Sequence, residues 1–329
     1  MLILTGAHVR AALPMDQAIE AVKQAFAALS DGHAEVPLRS RLEVPAHEGL
    51  TLLMPAFVRG TASEALGVKI VSLFPGNSDK GIPYIQAAVV VLEPDTGRAL
   101  ALLEGNSLTA IRTGAAGGAA VDILARPVSA VLAVLGAGAQ ARTQLLAACT
   151  ARKIERVWIF DTDRRHAESL KSELAGSPPV PHDLRVASTP QEATRDADII
   201  CTATTSRTPV FSDSDLKPGA HISAIGSYTP EMQEIPAETV SRARVVVDSK
   251  SAALAETGDL IKPIKAGLFA PERIHAELGE IILGRKVGRQ SAAELTFFKS
   301  VGVAVQDAIA ADLAVKRARE MGLGEDVEL

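Results

Sequence analysis

Apolar positions change their spacing several times along this 329-residue chain, and each change predicts an element. Met15, Ile19, Val22, Phe26 and Leu29 recur at helical intervals, and Asp31-Gly32 supplies a stop. Residues 50–57, 66–73, 85–92 and 100–103 are apolar runs of strand type. The last two flank Pro94-Asp95-Thr96-Gly97, a turn signal, which predicts a hairpin in a mostly antiparallel sheet. Ser107 stands where an N-cap would open a helix, and 109–120 is almost all small residues. Gly114, Gly117 and Gly118 are poor helix formers, so this helix is expected to press against another backbone or a ligand.

From Ser129 the rhythm becomes strand, turn, helix. Strands are predicted at 131–135, 156–160, 184–187, 197–202, 221–225 and 243–247, with helices at 139–151, 164–175 and 190–195. Alternation of this kind implies parallel strands joined by right-handed crossovers. A last amphipathic helix is predicted over 299–321, with Val301, Val305, Ile309 and Leu313 on its apolar face. The expected class is α/β: a Rossmann-type doubly wound parallel sheet over 126–298, plus an α+β domain over 1–125 that helix 299–329 completes.

Composition narrows the function classes. The chain is 47% hydrophobic but only 3% aromatic, so Ala, Val, Leu and Ile must fill the core. Net charge is −5 and no basic block occurs, which argues against nucleic acid as a partner. Cys149 and Cys201 form no CxxC, so neither a zinc site nor a disulfide framework is expected and a cytoplasmic setting fits. The first residues lack a signal-peptide pattern, and no apolar run reaches the ~18–20 residues of a membrane helix.

The strongest chemical signal is Gly136-Ala137-Gly138-Ala139-Gln140-Ala141, a G-x-G-x-x-A turn between a predicted strand and a predicted helix. The first glycine permits the turn, the second lets backbone approach a pyrophosphate, and the small third residue lets helix and strand pack closely. The helix N-terminus presents free N–H groups to phosphate. Asp161 ends the next strand, 25 residues on (161 − 136), where an acid can receive the ribose hydroxyls. Its charge repels a 2′-phosphate and favours NAD(H), while Arg164 and Arg165 are placed to accommodate NADP(H).

Further motifs flank this turn. Pro37-Leu38-Arg39, Leu53-Met54-Pro55-Ala56, Gly67-Val68-Lys69 and Leu108-Thr109-Ala110-Ile111-Arg112-Thr113 precede it. His221-Ile222-Ser223-Ala224-Ile225-Gly226 and Phe298-Lys299-Ser300-Val301-Gly302 follow it. In this combination the chain resembles the ornithine cyclodeaminase/μ-crystallin family along nearly its whole length. The resemblance implies that the α+β domain binds substrate and forms a homodimer. The activities it implies are ornithine cyclodeamination, amino-acid dehydrogenation and cyclic-imine reduction. Around the substrate carboxylate it implies Arg39, Lys69 and Arg112, with Arg41 competing for the first place and Met54 nearby. Cofactor contacts fall on Gly136, Ala137, Gly138, Ala139, Gln140, Asp161, Thr162 and Arg164. Others fall at the later strand ends, on Thr202, Ala203, Thr204, Gly226, Ser227, Ser300, Val301 and Gly302.

Read without the family, Lys69 in its apolar strand is either a buried functional cation or an outward residue at an alternating position. Arg112 lies among Thr, Ala and Gly, where a guanidinium has room to hold a carboxylate bidentately or to pair with another segment. Arg39 and Arg41 flank Ser40 and share a face if the segment is a strand. His221 reads as a half-buried strand histidine. Asp248, Glu256, Asp259, Glu277 and Glu280 read as solvated charges, and no metal is expected.

One segment departs from the cyclodeaminase pattern. Where those enzymes and the similar alanine dehydrogenases carry an Asp, this chain has Gly226-Ser227-Tyr228-Thr229-Pro230-Glu231. Neither Ser227 nor Tyr228 is a carboxylate at neutral pH. Glu231 could slide into the role only if Pro230 allows it. The stretch looks more like the members that reduce cyclic imines. The expected reaction is reduction of Δ1-pyrroline-2-carboxylate or Δ1-piperideine-2-carboxylate. The alternatives are an amino-acid dehydrogenase or cyclodeaminase, and a non-catalytic protein that binds NAD(P)H and a small ligand.

Overall fold

The computed structural model describes residues 1–59 and 64–328. In chain order come β1 (Leu2–Leu4), α1 (Gly6–Ala12), α2 (Met15–Ser30), β2 (Ala34–Glu35), β3 (Ser40–Val44), β4 (Gly49–Val58), β5 (Ala65–Leu73), β6 (Ile85–Leu92), β7 (Ala99–Glu104) and α3 (Gly105–Leu124). Next are β8 (Val131–Leu135), α4 (Ala139–Ala151), β9 (Arg156–Phe160), α5 (Arg164–Leu174), β10 (Leu184–Val186), α6 (Pro190–Thr194), β11 (Ile199–Thr202) and β12 (His221–Ala224). The remainder is α7 (Ala237–Arg242), β13 (Arg244–Val247), α8 (Lys250–Glu256), α9 (Gly258–Lys265), β14 (Ile274–Glu277), α10 (Leu278–Ile282), β15 (Thr296–Lys299), α11 (Ala304–Glu320) and β16 (Glu325–Asp326).

The chain divides into two compact units, Met1–Arg112 with Val303–Leu329, and Thr113–Gly302. The sequence reading puts the boundaries at 125/126 and 298/299. The first division instead falls inside α3, because the glycine-rich half of that helix packs on α4. The predicted last helix starts only at Ala304, because Thr296–Lys299 is a strand and Gly302 turns the chain with a φ of 83°.

The first unit holds a sheet in the order β16-β1-β7-β6-β5-β4-β2, with β3 also on β4; among the described residues only β1 and β7 pair in parallel. Leu52, Met54, Ala56 and Val58 bury one face of β4, and Ala65, Lys69 and Val71 the matching face of β5. Helix α11 covers that face, and α2 packs against α11. A Cβ on Gly67 would stand 3.2 Å from the Val90 carbonyl oxygen on β6 and in ordinary contact, 3.7 Å, with Cα of Ala308 on α11. The helix buries Ala304, Val305, Ala308, Ala311, Ala314, Val315 and Ala318, while Ile309 and Leu313 are only half-buried. Its packed stripe is therefore mostly alanine, and of the predicted face Val305 is fully buried. Helix α3 also begins two residues before Ser107. The Glu104 carboxylate accepts the N–H groups of Asn106 (2.7 Å) and Ser107 (2.9 Å), and the Ser107 hydroxyl accepts from Arg10.

The second unit is an all-parallel sheet in the order β10-β9-β8-β11-β12-β15-β13-β14. Strands buried on both faces need apolar residues at every position. Leu132 and Val134 enter one core with Ala141 and Leu145 of α4; Ala133 and Leu135 enter the other with Ile222 and Phe297. The close backbone approach expected of the glycines is present. A Cβ on Gly114 would stand 2.6 Å from the Thr143 carbonyl oxygen on α4.

Candidate active site

In the second unit β8 runs directly into Gly136, whose φ of 97° suits only glycine. A Cβ there would stand 2.6 Å from the Ala203 carbonyl oxygen, so the loop after β11 packs on the turn. Gly138 caps α4, and nothing lies within 4 Å of where its Cβ would be. Ala137 links the two glycines, and Ala139 and Gln140 open the helix with no acid in its first turn. Open space before a helix N-terminus suits a pyrophosphate. It also lies at the switch point of the sheet, where the chain leaves β8 for β9 on one side and β11 on the other.

Asp161 follows β9 and braces this turn. One carboxylate oxygen accepts the Ala137 N–H at 2.8 Å, the other the Asp163 N–H at 2.9 Å. Lone pairs remain for ribose hydroxyls. Thr162 beside it is exposed. Arg164 pairs with Glu168 at 3.0 Å and Arg165 with Asp163 at 2.6 Å, so each arginine already has an acid.

The later strand ends are held by buried acids. Glu234 accepts the N–H of Thr204 on one oxygen and of Gly226 on the other, both at 2.7 Å. Burial pushes its carboxyl above the usual range, and Lys299 opposes that. Asp259 accepts the N–H of Glu234 at 2.6 Å and sits 3.1 Å from Lys299 Nζ. Asp248 accepts the Ser300 hydroxyl (2.7 Å) and the N–H groups of Val301 (2.8 Å) and Gly302 (2.7 Å). Asp248 and Asp259 are thus fully buried staples, which corrects their reading as solvated charges. The Ser227 hydroxyl is also internal, bonded to the Met232 carbonyl (2.9 Å) and to Thr257 Oγ1 (2.8 Å). The hydroxyls of Ser227 and Ser300 therefore serve the protein. Ala203 bonds back to Leu135 through its N–H. Thr202 Oγ1 and Gln140 Oε1 are buried and take no hydrogen bond from the described residues. Open space at Gly138 and these two orphaned oxygens fit a bound dinucleotide.

His221 is wholly buried rather than half-buried, with Nδ1 2.9 Å from Thr296 Oγ1. Burial pushes its pKa down to about 3. Among the described residues no group of three His, Cys, Asp or Glu side chains could hold a metal ion.

The first unit carries a second constellation. Alternation along β5 turns Lys69 inward, which excludes the outward reading; it is 2% exposed. Arg112 on α3 is 6% exposed and Asp307 on α11 is 1% exposed. Asp307 lies 2.7 Å from Lys69 Nζ through Oδ2 and accepts the Arg112 Nε–H at 3.0 Å through Oδ1. Gln306 Oε1 accepts from Arg112 Nη1 at 3.1 Å. Burial lowers the Lys69 ammonium pKa to about 8; Arg112 adds to the drop, Asp307 resists it, and Arg39 adds further. Arg39 thus acts on the cluster electrostatically. Arg41 is exposed and pairs with Leu52 across β3 and β4, so it shares that sheet face. Met54 is buried directly opposite Lys69. Two buried cations share one acid, leaving a net positive charge that a carboxylate would neutralise.

A parallel dinucleotide-fold sheet, in one chain with a unit that buries a cationic pair, defines the class as a Rossmann-type protein whose other unit is suited to an anion. The model of the ornithine cyclodeaminase/mu-crystallin family matches residues 1–322, and the chain belongs to that family. It is 42% identical to a Δ1-pyrroline-2-carboxylate reductase of Bacillus cereus over the whole of both chains. The structure of the Δ1-pyrroline-2-carboxylate reductase of Thermococcus litoralis, solved with NADH and L-proline, is 42% identical. It superposes with a TM-score of 0.94, covering 99% of this chain and 100% of that one. An archaeal alanine dehydrogenase dimer with bound NAD is 34% identical with a TM-score of 0.92, covering 100% and 99%.

The sequence reading misses Asp307, Gln306 and Glu234. The available signal for the first two was a Gln-Asp pair in an otherwise apolar first two turns, Ala304–Ala311. Glu234, between Gln233 and Ile235, carries no such signal.

Proposed function

We propose that this chain uses NADH to reduce a cyclic imino acid, Δ1-pyrroline-2-carboxylate or its six-membered homologue, to L-proline or L-pipecolate. The observation that carries this reading is the buried pair Lys69 and Arg112 on the single acid Asp307. That excess charge suits a substrate carboxylate, with Arg112 and Arg39 gripping it and Lys69 adding charge. Full-length relatives named as reductases of this substrate support it. So does Ser227, internally bonded where deaminating members have an acid.

The dinucleotide, when bound, supplies the hydride. The protein's residues do the rest: the glycine turn orients the pyrophosphate, Asp161 receives the ribose, and the cationic pair fixes the carboxylate so that the imine carbon is presented in one orientation. Hydride adds to that carbon, and the nitrogen keeps or gains one proton, for which Lys69 Nζ is an available donor. Asp161, together with the acids already on Arg164 and Arg165, supports NAD(H) over NADP(H). A homodimer is supported by the outer face of β3–β5, where Leu42, Leu53 and Ile70 are exposed. The buried free cysteines fit a cytoplasmic setting.

The test is NADH and NADPH oxidation with both cyclic imino acids, alongside ammonia release from alanine and ornithine. Rapid NADH oxidation with either imine supports the reading. Ammonia release without imine turnover refutes it in favour of an amino-acid dehydrogenase or cyclodeaminase.

A further inference from the structure

We propose that Asp307 is the positioning residue of the carboxylate site: it holds Lys69 and Arg112 side by side and leaves that pair one positive charge above neutral. This rests on the reading that an anionic substrate binds at Lys69 and Arg112.

The geometry leaves Asp307 little other role. Its two oxygens divide between the two cations, Oδ2 at 2.7 Å from Lys69 Nζ and Oδ1 at 3.0 Å from Arg112 Nε. Asp307 stands in the first turn of α11, where the helix N-terminus favours an anion. The preceding Gln306 adds a hydrogen bond to Arg112 Nη1, and the same oxygen accepts the Val303 N–H at 2.9 Å, fixing the helix start. Two cations this deeply buried and this close repel each other strongly unless an anion joins them. With no acid, the pair would separate or lose a proton. With two acids, the site would be neutral and indifferent to a carboxylate.

The groups that bear on Lys69 come from every neighbouring element. Arg112 faces it from α3, Asp307 from α11 and Arg39 from the segment before β3, while Met54 on β4 and Val89 on β6 flank it without charge. Above about pH 8 Lys69 loses its proton and the excess charge disappears, so kcat/KM for the imino acid falls as pH rises. Removing the Asp307 charge favours the neutral amine and moves this limb to lower pH.

The experiment compares wild type, Asp307→Asn and Asp307→Glu in the intact protein. It measures kcat and KM for Δ1-pyrroline-2-carboxylate across pH, and NADH affinity by fluorescence. Ionisation of the imine itself is common to all three and cancels in the comparison. Asp307→Asn is expected to shift the alkaline limb down by about one pH unit or more, with NADH affinity unchanged. Asp307→Glu keeps the charge but displaces it, so it is expected to leave the limb in place and raise KM roughly tenfold or more. A limb at the wild-type pH in Asp307→Asn overturns the proposal, as does a wild-type KM in Asp307→Glu. Should Asp307→Asn not fold, Asp307→Glu decides alone.

A readout independent of turnover separates this from the functional reading. The ε-carbon resonance of Lys69, assigned in lysine-labelled protein with Lys69→Arg, reports its titration directly. A downward shift in Asp307→Asn supports the positioning role even if no imine is reduced, and an unshifted titration overturns it.

Discussion

Replacing Gly114 by alanine tests the close packing of the glycine-rich helix, and the sign of the result is diagnostic. In an unconfined helix interior, alanine in place of glycine stabilises by about 1 kcal/mol. Here the added carbon would stand 2.6 Å from the Thr143 carbonyl oxygen and 2.7 Å from its Cβ. Ordinary contact begins near 3.4 Å, so α4 must retreat by about 0.8 Å (3.4 − 2.6). The obstacle is backbone, which no rotamer change relieves. With backbone as the obstacle the cost falls in the upper part of the range for overpacking, about 2–3 kcal/mol, which outweighs the propensity gain and leaves a net loss of about 1–2 kcal/mol. For a unit of this size that lowers Tm by roughly 2–8 °C. Since α4 starts at the dinucleotide turn, its displacement should also weaken NADH binding. Gly117→Ala is the internal comparison. Its new carbon meets only the Gln144 side-chain amide, which can swing away at the cost of its 2.8 Å bond to the Thr113 carbonyl. That loss of about 1 kcal/mol nearly cancels the gain. Calorimetry of the three proteins, with NADH titrations, checks both. A Tm for Gly114→Ala equal to or above wild type would refute the argument.

Two more outcomes follow from single buried or bracing groups. Asp161→Ser removes both the repulsion toward a 2′-phosphate and the acceptor of the Ala137 N–H. NADH should bind more weakly, and the NADH-to-NADPH affinity ratio should fall tenfold or more, a change of about 1.4 kcal/mol; an unchanged ratio in fluorescence titrations rejects the cofactor assignment. His221 is buried neutral with a pKa of about 3 against 6.5 when exposed, so the unfolded chain binds the extra proton as pH falls through 6.5. Stability should decline from there to about pH 3 and level off below, the part between pH 7 and 4 amounting to about 3 kcal/mol. His221→Gln should lose that share of the acid sensitivity in denaturant titrations at the two pH values, and an equal decline in both proteins contradicts it.

How much was legible in the sequence depended on whether the signal was local. The glycine turn is written in consecutive residues, Gly136 to Ala141, and its backbone requirements are the same wherever it occurs. The parallel strands were legible because burial on both faces demands unbroken apolar runs such as Val131–Leu135. The face of α11 was not, since ranking residues by hydrophobicity selects Ile309 and Leu313, whereas the face that is actually buried is mostly alanine. Lys69 was ambiguous for a related reason: β5 is apolar on both sides, and only the covering helix α11 decides which alternation faces inward. Asp307 and Glu234 act across 195 and 30 residues, to Arg112 and Thr204, and nothing adjacent to them in sequence announces those partners.

That long reach has a consequence for how the chain is made. Synthesis delivers Lys69 and Arg112 long before Asp307, and it delivers the inner face of β4 and β5 long before α11 arrives to cover it. Between the two comes the entire second unit, Thr113–Gly302. A nascent chain cannot bury two cations with no counter-ion, so the first 112 residues must wait in an open state while the parallel sheet is translated. The arrival of α11 therefore both seals the core of the first unit and balances its charge.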